Sequence, residues 1–347
     1  MKLNFKKRGV LLVLLILLAI TAFLSARFGA INISSDEISS SLGKYLSGAD
    51  TDASSMPLNE RIFMDIRLPR ALLCLLVGAS LAVGGTLMQA LFRNPIVEPG
   101  LIGTSSGAAF GAALYFVLGA TFQFNTGEWT LPLAASAGAV ASTYMVFLLS
   151  ESKETGKSSV VVLLLIGIAI NALFMSGVGF LSYIARDPQA RSITFWGMGT
   201  LSGANWHSVV IVGISTFGCI GLAMRYSKHL NALMIGETEA MYLGINIRRL
   251  KLTILTINVV MIAVATAFVG VISFVGLIVP HLLRMISGSD NRVLIRDSAL
   301  LGAIILSLAD LTARMVLRPA ELPIGIVTSV VGVPIFIILL RRKNYFF

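Results

Sequence analysis

The chain has 347 residues, of which 56% are hydrophobic and only 13% charged, about half the charged share of a soluble domain. Its long apolar runs are continuous rather than alternating, which indicates membrane-spanning helices and argues against a β-barrel. A net charge of +10 would suggest nucleic acid in a soluble protein; here the cations sit at the ends of apolar runs and set topology, so no nucleic-acid partner is expected.

Ten spans are expected, at about 10–27, 67–91, 97–119, 131–149, 159–183, 206–225, 252–270, 272–287, 298–316 and 325–340. They make an all-α membrane protein, a single transmembrane domain over 1–347. The opening MKLNFKKRGVLLVLLILLAITAFLSARFGA has the basic head and apolar run of a signal peptide. Residues 10–26 are long enough to span and more spans follow, so we read an uncleaved first helix with its basic end in the cytoplasm. Ten crossings then return the C-terminus to the cytoplasm. Most of the 27 Lys and Arg fall on the segments that this topology places inside, in keeping with the positive-inside rule. Residues 28–66 become a Ser-rich periplasmic segment with room for a short surface helix, and 120–130, 184–205 and 317–324 also lie outside. Residues 226–250 form a cytoplasmic loop. RLPRALLCLLVGASLAVGGTLMQALF and IRRLKLTILTINVVMIAVATAFVGVI both begin with basic residues and run in opposite directions, the pattern of an inverted repeat.

After the second span, RNPIVEPG places Pro95 and Pro99 four apart with Asn94 and Glu98 beside them. Each proline removes a backbone donor and disfavours helix in the residue before it, so the helix breaks here, near the cytoplasmic face. A tight turn accounts for the prolines; a structured contact surface accounts also for the acid between them.

Gly103, Gly107 and Gly111 follow at four-residue spacing, which on a helix lets another backbone approach closely. The same letters fit G-x-S-x-G, a hydrolase signature that needs a strand before the serine. No strand and no acid–base partner for Ser105 is in view, so no catalytic residue is assigned. ETGKSS ends like a phosphate-binding loop, but Glu151 holds the place of its first glycine, so ATP hydrolysis by this chain is not expected. Cys74 and Cys219 lie in apolar runs and read as small core residues. His207 falls near the outer face, His229 and His281 near the inner one, so they make no single metal site. Asp310 and Arg314, four apart in an apolar run, can pair along a helix face; intramembrane charges also mark cavities and partners, and the spacing suits either.

GETEAMYLGI, at 236–245, sits between two long apolar runs on the inside. Glu237 and Glu239 suit the positive N-terminal end of a short helix, and Gly236 and Gly244 bracket it, the latter as a left-handed stop. So short a helix is marginal in water, so its stability must come from docking, on a partner or on its own chain. Ala240, Met241 and Leu243 offer a small apolar face, flanked by Arg225, Lys228, Arg248, Arg249 and Lys251.

Five stretches, in order, resemble the signatures of the FecCD permease family: RLPRALLCLLVGASLAVGGTLMQALFRNPIVEPGLIGTSSGA, GETEAMYLGI, GVISFVGLIVPHLLRMI, LSLADLTARM and ELPIGIVTSVVGVPIFIILL. The family often has N-P-L-A-[DE]-P-G where this chain has Asn94-Pro95-Ile96-Val97-Glu98-Pro99-Gly100, with prolines and acid kept. Its members are membrane subunits of ABC importers for iron–siderophores, heme and cobalamin. The resemblance implies a ten-helix homodimer in the bacterial cytoplasmic (inner) membrane, with the path on its two-fold axis. It implies two ATPase subunits inside, which carry the ATP-Mg, and a periplasmic or lipid-anchored substrate-binding protein outside. Membrane lipid completes the partners, and no cofactor is expected on this chain.

By the same resemblance Gly236, Glu237, Glu239, Ala240, Leu243 and Gly244 form the coupling helix seated in the ATPase. Arg67, Arg70 and Arg314 match the outward arginines that meet glutamates of the binding protein; anchoring a helix end among headgroups is the other reading of Arg70. Alternating access needs a weakly binding path, for which Gln89, Ser105, Ser106 and Asn171 are candidates. Arg191, Phe195 and Trp196 resemble the pattern of heme permeases, although siderophore permeases also carry W-x-x-G-x-L. The expected cargo is an iron complex, heme or ferric siderophore, ahead of cobalamin. An ion-coupled secondary transporter would share the many spans, yet would usually bury ionisable groups near the midplane; here most charges lie near span ends, Asp310 and Arg314 being the main exceptions.

Overall fold

The computed structural model describes residues 2–29, 34–46, 57–119, 127–150 and 160–341. The ETGKSS stretch, Glu151, Lys153 and most of the outer segment 120–130 lie outside the described residues. Among the described residues all regular structure is helical: α1 (Lys2–Arg27), α2 (Ser35–Leu46), α3 (Leu58–Ile62), α4 (Leu68–Phe92), α5 (Thr104–Leu114), α6 (Thr130–Ser150), α7 (Val160–Ile184), α8 (Asp187–Gly197), α9 (Trp206–Ile235), α10 (Glu237–Tyr242), α11 (Ile247–Val269), α12 (Val275–Ser287), α13 (Asn291–Val316) and α14 (Ile324–Arg341). Among the described residues seven helices are long and apolar enough to cross a membrane, and three shorter apolar ones run over Thr104–Gly119, Val275–Ser287 and Ile324–Leu339. Together they coincide with the ten expected spans, and α2 is the short helix in the segment after the first.

The differences lie at the ends. The third span begins at Thr104 rather than 97, because Pro95 and Pro99 keep 94–98 out of helix and only a 3-10 turn, Pro99–Ile102, precedes α5. The eighth begins at Val275 rather than 272, after non-helical residues that end at Phe274, whose φ is +70°. The sixth runs on to Ile235: Arg225 and Lys228 point outward while Ser227, Leu230 and Leu233 are buried, so the charges mark an amphipathic extension rather than a stop. The ninth starts at Asn291, where Asp290 accepts from the Arg292 amide as an N-cap.

Helix α4 is buried along most of its length and touches α9, α11, α12 and α13. In lipid, apolar surface gains little by leaving one apolar medium for another, so close packing of small residues carries helix association. Here α4 supplies it. A Cβ on Gly78 would collide with the Gly302 carbonyl of α13, and one on Gly85 with the Gly276 carbonyl of α12. Gly107 and Gly111 of α5 approach the backbone of α6 at Gly138 and Ala134 in the same way. Gly103 stands just outside α5, with φ +92°. Two large apolar clusters follow along α4, one around Leu73, Val77, Ile262 and Leu306, the other around Leu87, Met88, Leu230 and Ile254. On the outside of the bundle Leu148, Leu165, Ile214 and Phe217 are exposed, faces that suit lipid or another membrane chain.

Candidate functional site

Three places in the bundle carry polar or exposed groups that the packing alone does not require. The first is at the start of α4. A π-helical turn over Phe63–Arg67 joins α3 to α4 and leaves both Phe63 and Arg67 buried. Arg67 donates to the carbonyl of Phe28 beyond the end of α1. One turn on, Arg70 meets Asp310 of α13 through Nε at 3.1 Å and Nη2 at 2.9 Å, and its Nη1 reaches Glu321 at 2.8 and 3.0 Å. Arg314 lies 2.9 Å from Asp310, a close ion pair without hydrogen-bond alignment, and donates to the Phe28 carbonyl at 2.9 Å and the Ser25 hydroxyl at 3.0 Å. So Asp310 and Arg314 do pair along α13, and the same acid gathers Arg70. The three arginines are each under 9% exposed. Their donors turn into the chain, where two of them satisfy carbonyls at the end of α1. Of the two acids only Glu321 reaches the surface, its side chain 40% exposed.

The second is a cavity of about 270 Å3 between α5, α7 and α8, lined by Ser105, Ser106, Asn171, Met175, Trp196 and Val271 among others. Three of the four path candidates therefore meet here. Asn171 donates to the carbonyls of Gly100 and Leu101 at 3.2 and 3.3 Å and accepts from the Ser106 hydroxyl at 2.5 Å. It thus supplies a donor to the Leu101 carbonyl at the proline break and shares the Gly100 carbonyl with the Gly103 amide. Gln89 stands apart. It is fully buried, donates to the Leu277 carbonyl at 3.1 Å and accepts from Arg284 at 2.8 Å. A second opening, about 370 Å3, is lined by Met198, Ser273, Gly325 and Ser329 and shares Gly197 and Val271 with the first. Of the three residues singled out in and around α8, Trp196 is buried against the first cavity while Arg191 and Phe195 are exposed.

The third is α10. Glu237 and Glu239 stand in its first turn, Glu237 pairs with Lys251 of α11 at 2.9 Å, and the Glu239 carboxylate folds back over Gly236. Gly244 closes the helix with φ +80° and donates to the Met241 carbonyl. Ala240 is fully buried in its own chain, so it belongs to the seat of the helix rather than to its outer face. The outward side is Met241, Tyr242 and Leu243, with Tyr242 87% exposed. Tyr242 escaped the sequence reading because composition marks a face as apolar without saying which way it turns. The histidines are dispersed, His207 beside Trp129 and His229 beside Tyr226, and among the described residues no three His, Cys, Asp or Glu side chains gather as a metal site.

A bundle of apolar helices around a glycine-packed centre, with a cavity among them and a short helix that exposes Met241, Tyr242 and Leu243 beside it, defines a multi-span membrane protein. The chain belongs to the FecCD transport family, whose model matches residues 15–342. It is the permease of an ABC importer, a subunit type that is not itself an enzyme and works with ATPase and binding-protein partners. The hemin transport system permease protein HmuU of Yersinia pestis is 40% identical over 331 residues, 95% of each chain. The cobalamin import system permease protein BtuC of Halobacterium salinarum is 38% identical over 285 residues, 80% of this chain and 73% of that one. Among solved structures, an ABC transporter assigned to the metal-chelate type, in an inward-facing conformation, matches with TM-score 0.82 and 31% identity over 96% of this chain and 99% of that one. PsaBC from Streptococcus pneumoniae shares the fold, with TM-score 0.55 and 15% identity over 88% of this chain and 96% of that one.

Proposed function

We propose that this chain imports an iron chelate, heme before a ferric siderophore, across the bacterial cytoplasmic membrane as a homodimer. The observation that carries the cargo is the likeness to a hemin permease over 95% of both chains. Cobalamin is the second reading, favoured by BtuC relatives of 35 to 39% identity over shorter stretches. In this reading the whole chain is one transmembrane domain with 28–66 in the periplasm and 226–250 in the cytoplasm. It binds no cofactor, and ATP-Mg sits on a pair of partner ATPases.

Energy enters at α10. The exposed Met241, Tyr242 and Leu243 supply an apolar contact for the ATPase, and Ala240, Glu237 and Lys251 hold the helix on its own chain. The binding protein docks at the opposite rim, where Arg67, Arg70 and Arg314 carry one more charge than Asp310 and Glu321 offset. That excess steers an acidic partner into register. Cargo passes the cavity of Ser105, Ser106 and Asn171 as the helices tilt, held weakly because the lining is mostly apolar and small. Gln89 contributes from outside that cavity, by steadying Arg284 and α12.

The test is uptake into vesicles that hold the permease with its ATPase, presented with hemin, a ferric siderophore or cobalamin on the cognate binding protein. Hemin uptake that requires ATP is the expected result. Accumulation of cobalamin alone overturns the cargo, and uptake driven by an ion gradient without ATP overturns the importer mechanism.

A further inference from the structure

The asparagines where α9 meets α13 have no part in the reading above. Helix α9 runs on to Ile235, and only Gly236 separates it from α10. Near its inner end Leu230 and Leu233 are fully buried, and between them Asn231 meets the start of α13. Its Oδ1 accepts from the amide of Asn291 at 2.8 Å and from the Asn291 side chain at 2.9 Å, and its Nδ2 donates to Oδ1 of Asp290 at 2.8 Å. That same Asp290 oxygen accepts from the Arg292 amide as the N-cap of α13. Asn291 is fully buried, and its amide is among the first-turn donors that a helix cannot satisfy from within. The cap of α13 is thus completed from another helix. A side chain in that place must offer one acceptor and one donor at the same reach, which asparagine does and neither aspartate nor leucine does. Turning the Asn231 amide over would set its NH2 group against the Asn291 amide, donor on donor, so the network fixes its orientation.

This joint stands at one end of a long rod. Helix α13 has 26 residues, about 39 Å against a hydrocarbon core of roughly 30 Å. Its far end holds Asp310 and Arg314 in the cluster with Arg70. Between the two ends, backbone meets backbone at Gly78 and Gly302, which leaves α13 little room to deform against α4.

We propose that Asn231 is a positioning residue for coupling: it fastens the inner end of α13 to the helix that carries α10, so that the ATPase contact and the outer rim are felt through one rod. The inference deepens the readings of α10 and of the rim and rests on them.

The experiment measures ATP hydrolysis by the complex of the full-length permease with its ATPase in nanodiscs, with and without the cognate binding protein. The proteins are the parent, Asn231→Asp, Asn231→Ala and the double variant Asn231→Asp with Asp290→Asn. In the parent the binding protein raises the rate. Asn231→Asp sets two carboxylates together and Asn231→Ala removes the bonds, so in both the rise shrinks about fivefold or more, the scale of one lost hydrogen bond, while ATPase capture and basal hydrolysis hold. The double variant exchanges donor and acceptor across the same gap, and asparagine still caps a helix, so the rise returns. A double variant as weak as Asn231→Asp overturns the proposal. So does loss of ATPase capture or basal hydrolysis in both single variants, which makes the joint a support of the fold. A rise in Asn231→Asp equal to the parent's also overturns it and leaves the reading of α10 and the rim intact. A parent whose rate ignores the binding protein overturns that reading, and the proposal with it. The binding protein is added empty, so the cargo assignment does not enter.

Discussion

Arg70 and Asp310, 240 residues apart in sequence, meet at 2.9 Å in a buried contact that ties α4 to α13. Asp310 also stands 2.9 Å from Arg314, so one carboxylate balances two guanidinium groups. Removing it leaves Arg314 buried without its acidic partner and Arg70 with Glu321 alone. Asp310→Ala should lose about 3–5 kcal/mol, read as a large drop in thermal midpoint in detergent. Glu321→Gln, on a side chain 40% exposed, should lose less than about 1 kcal/mol. Equal losses would remove Asp310 from the centre of the network.

Arg67→Glu and Arg70→Glu, in preparations shown to be folded, should weaken capture of the binding protein, most visibly at low salt where charge steering is least screened. Unchanged affinity at low salt assigns these residues to the fold alone.

At the other end, the direction of α10 separates seat from contact. Tyr242→Ala with Leu243→Asp should abolish co-purification of the ATPase while the thermal midpoint of the permease stays put, because both side chains are exposed. Ala240→Trp should lower that midpoint, since overpacking a filled site costs about 1–3 kcal/mol. If the ATPase still binds the double variant, α10 packs only on its own chain.

Glycines offer a paired test of the centre. Gly85→Ala sets a methyl group against the Gly276 carbonyl, backbone that cannot swing aside, and should destabilise by at least about 1–3 kcal/mol. Gly218→Ala and Gly221→Ala, in α9 with open space around them, should be neutral or stabilising by up to about 1 kcal/mol. Expression and melting of the three single variants decide it.

Asn171→Leu keeps much of the shape and loses the bonds to Gly100, Leu101 and Ser106. A loss of about 1–3 kcal/mol is expected from the loss of these hydrogen bonds, together with slower uptake. Full uptake with the same loss would make Asn171 a support of the turn and no part of the path.

The sequence alone determined what local chemistry and hydrophobic run length control. Ten apolar segments, the break at Pro95 and Pro99, and the brackets of α10 at Gly236 and Gly244 could all be read from it, because a span must satisfy its own backbone bonds within about 20 neighbouring residues. Ordered signatures also disclosed the family. The tertiary structure decided direction and pairing. It set Ser105, Ser106 and Asn171 on one cavity and Gln89 on another contact, turned Ala240 inward and Tyr242 outward, and gathered Arg67, Arg70 and Arg314 around residues from α1 and α13. Run length carries no azimuth, and in an apolar solvent hydrophobicity does not say which face of a helix is buried. Those choices rest on where glycine lets backbones touch and where a buried charge finds its partner, both settled between segments far apart in the chain.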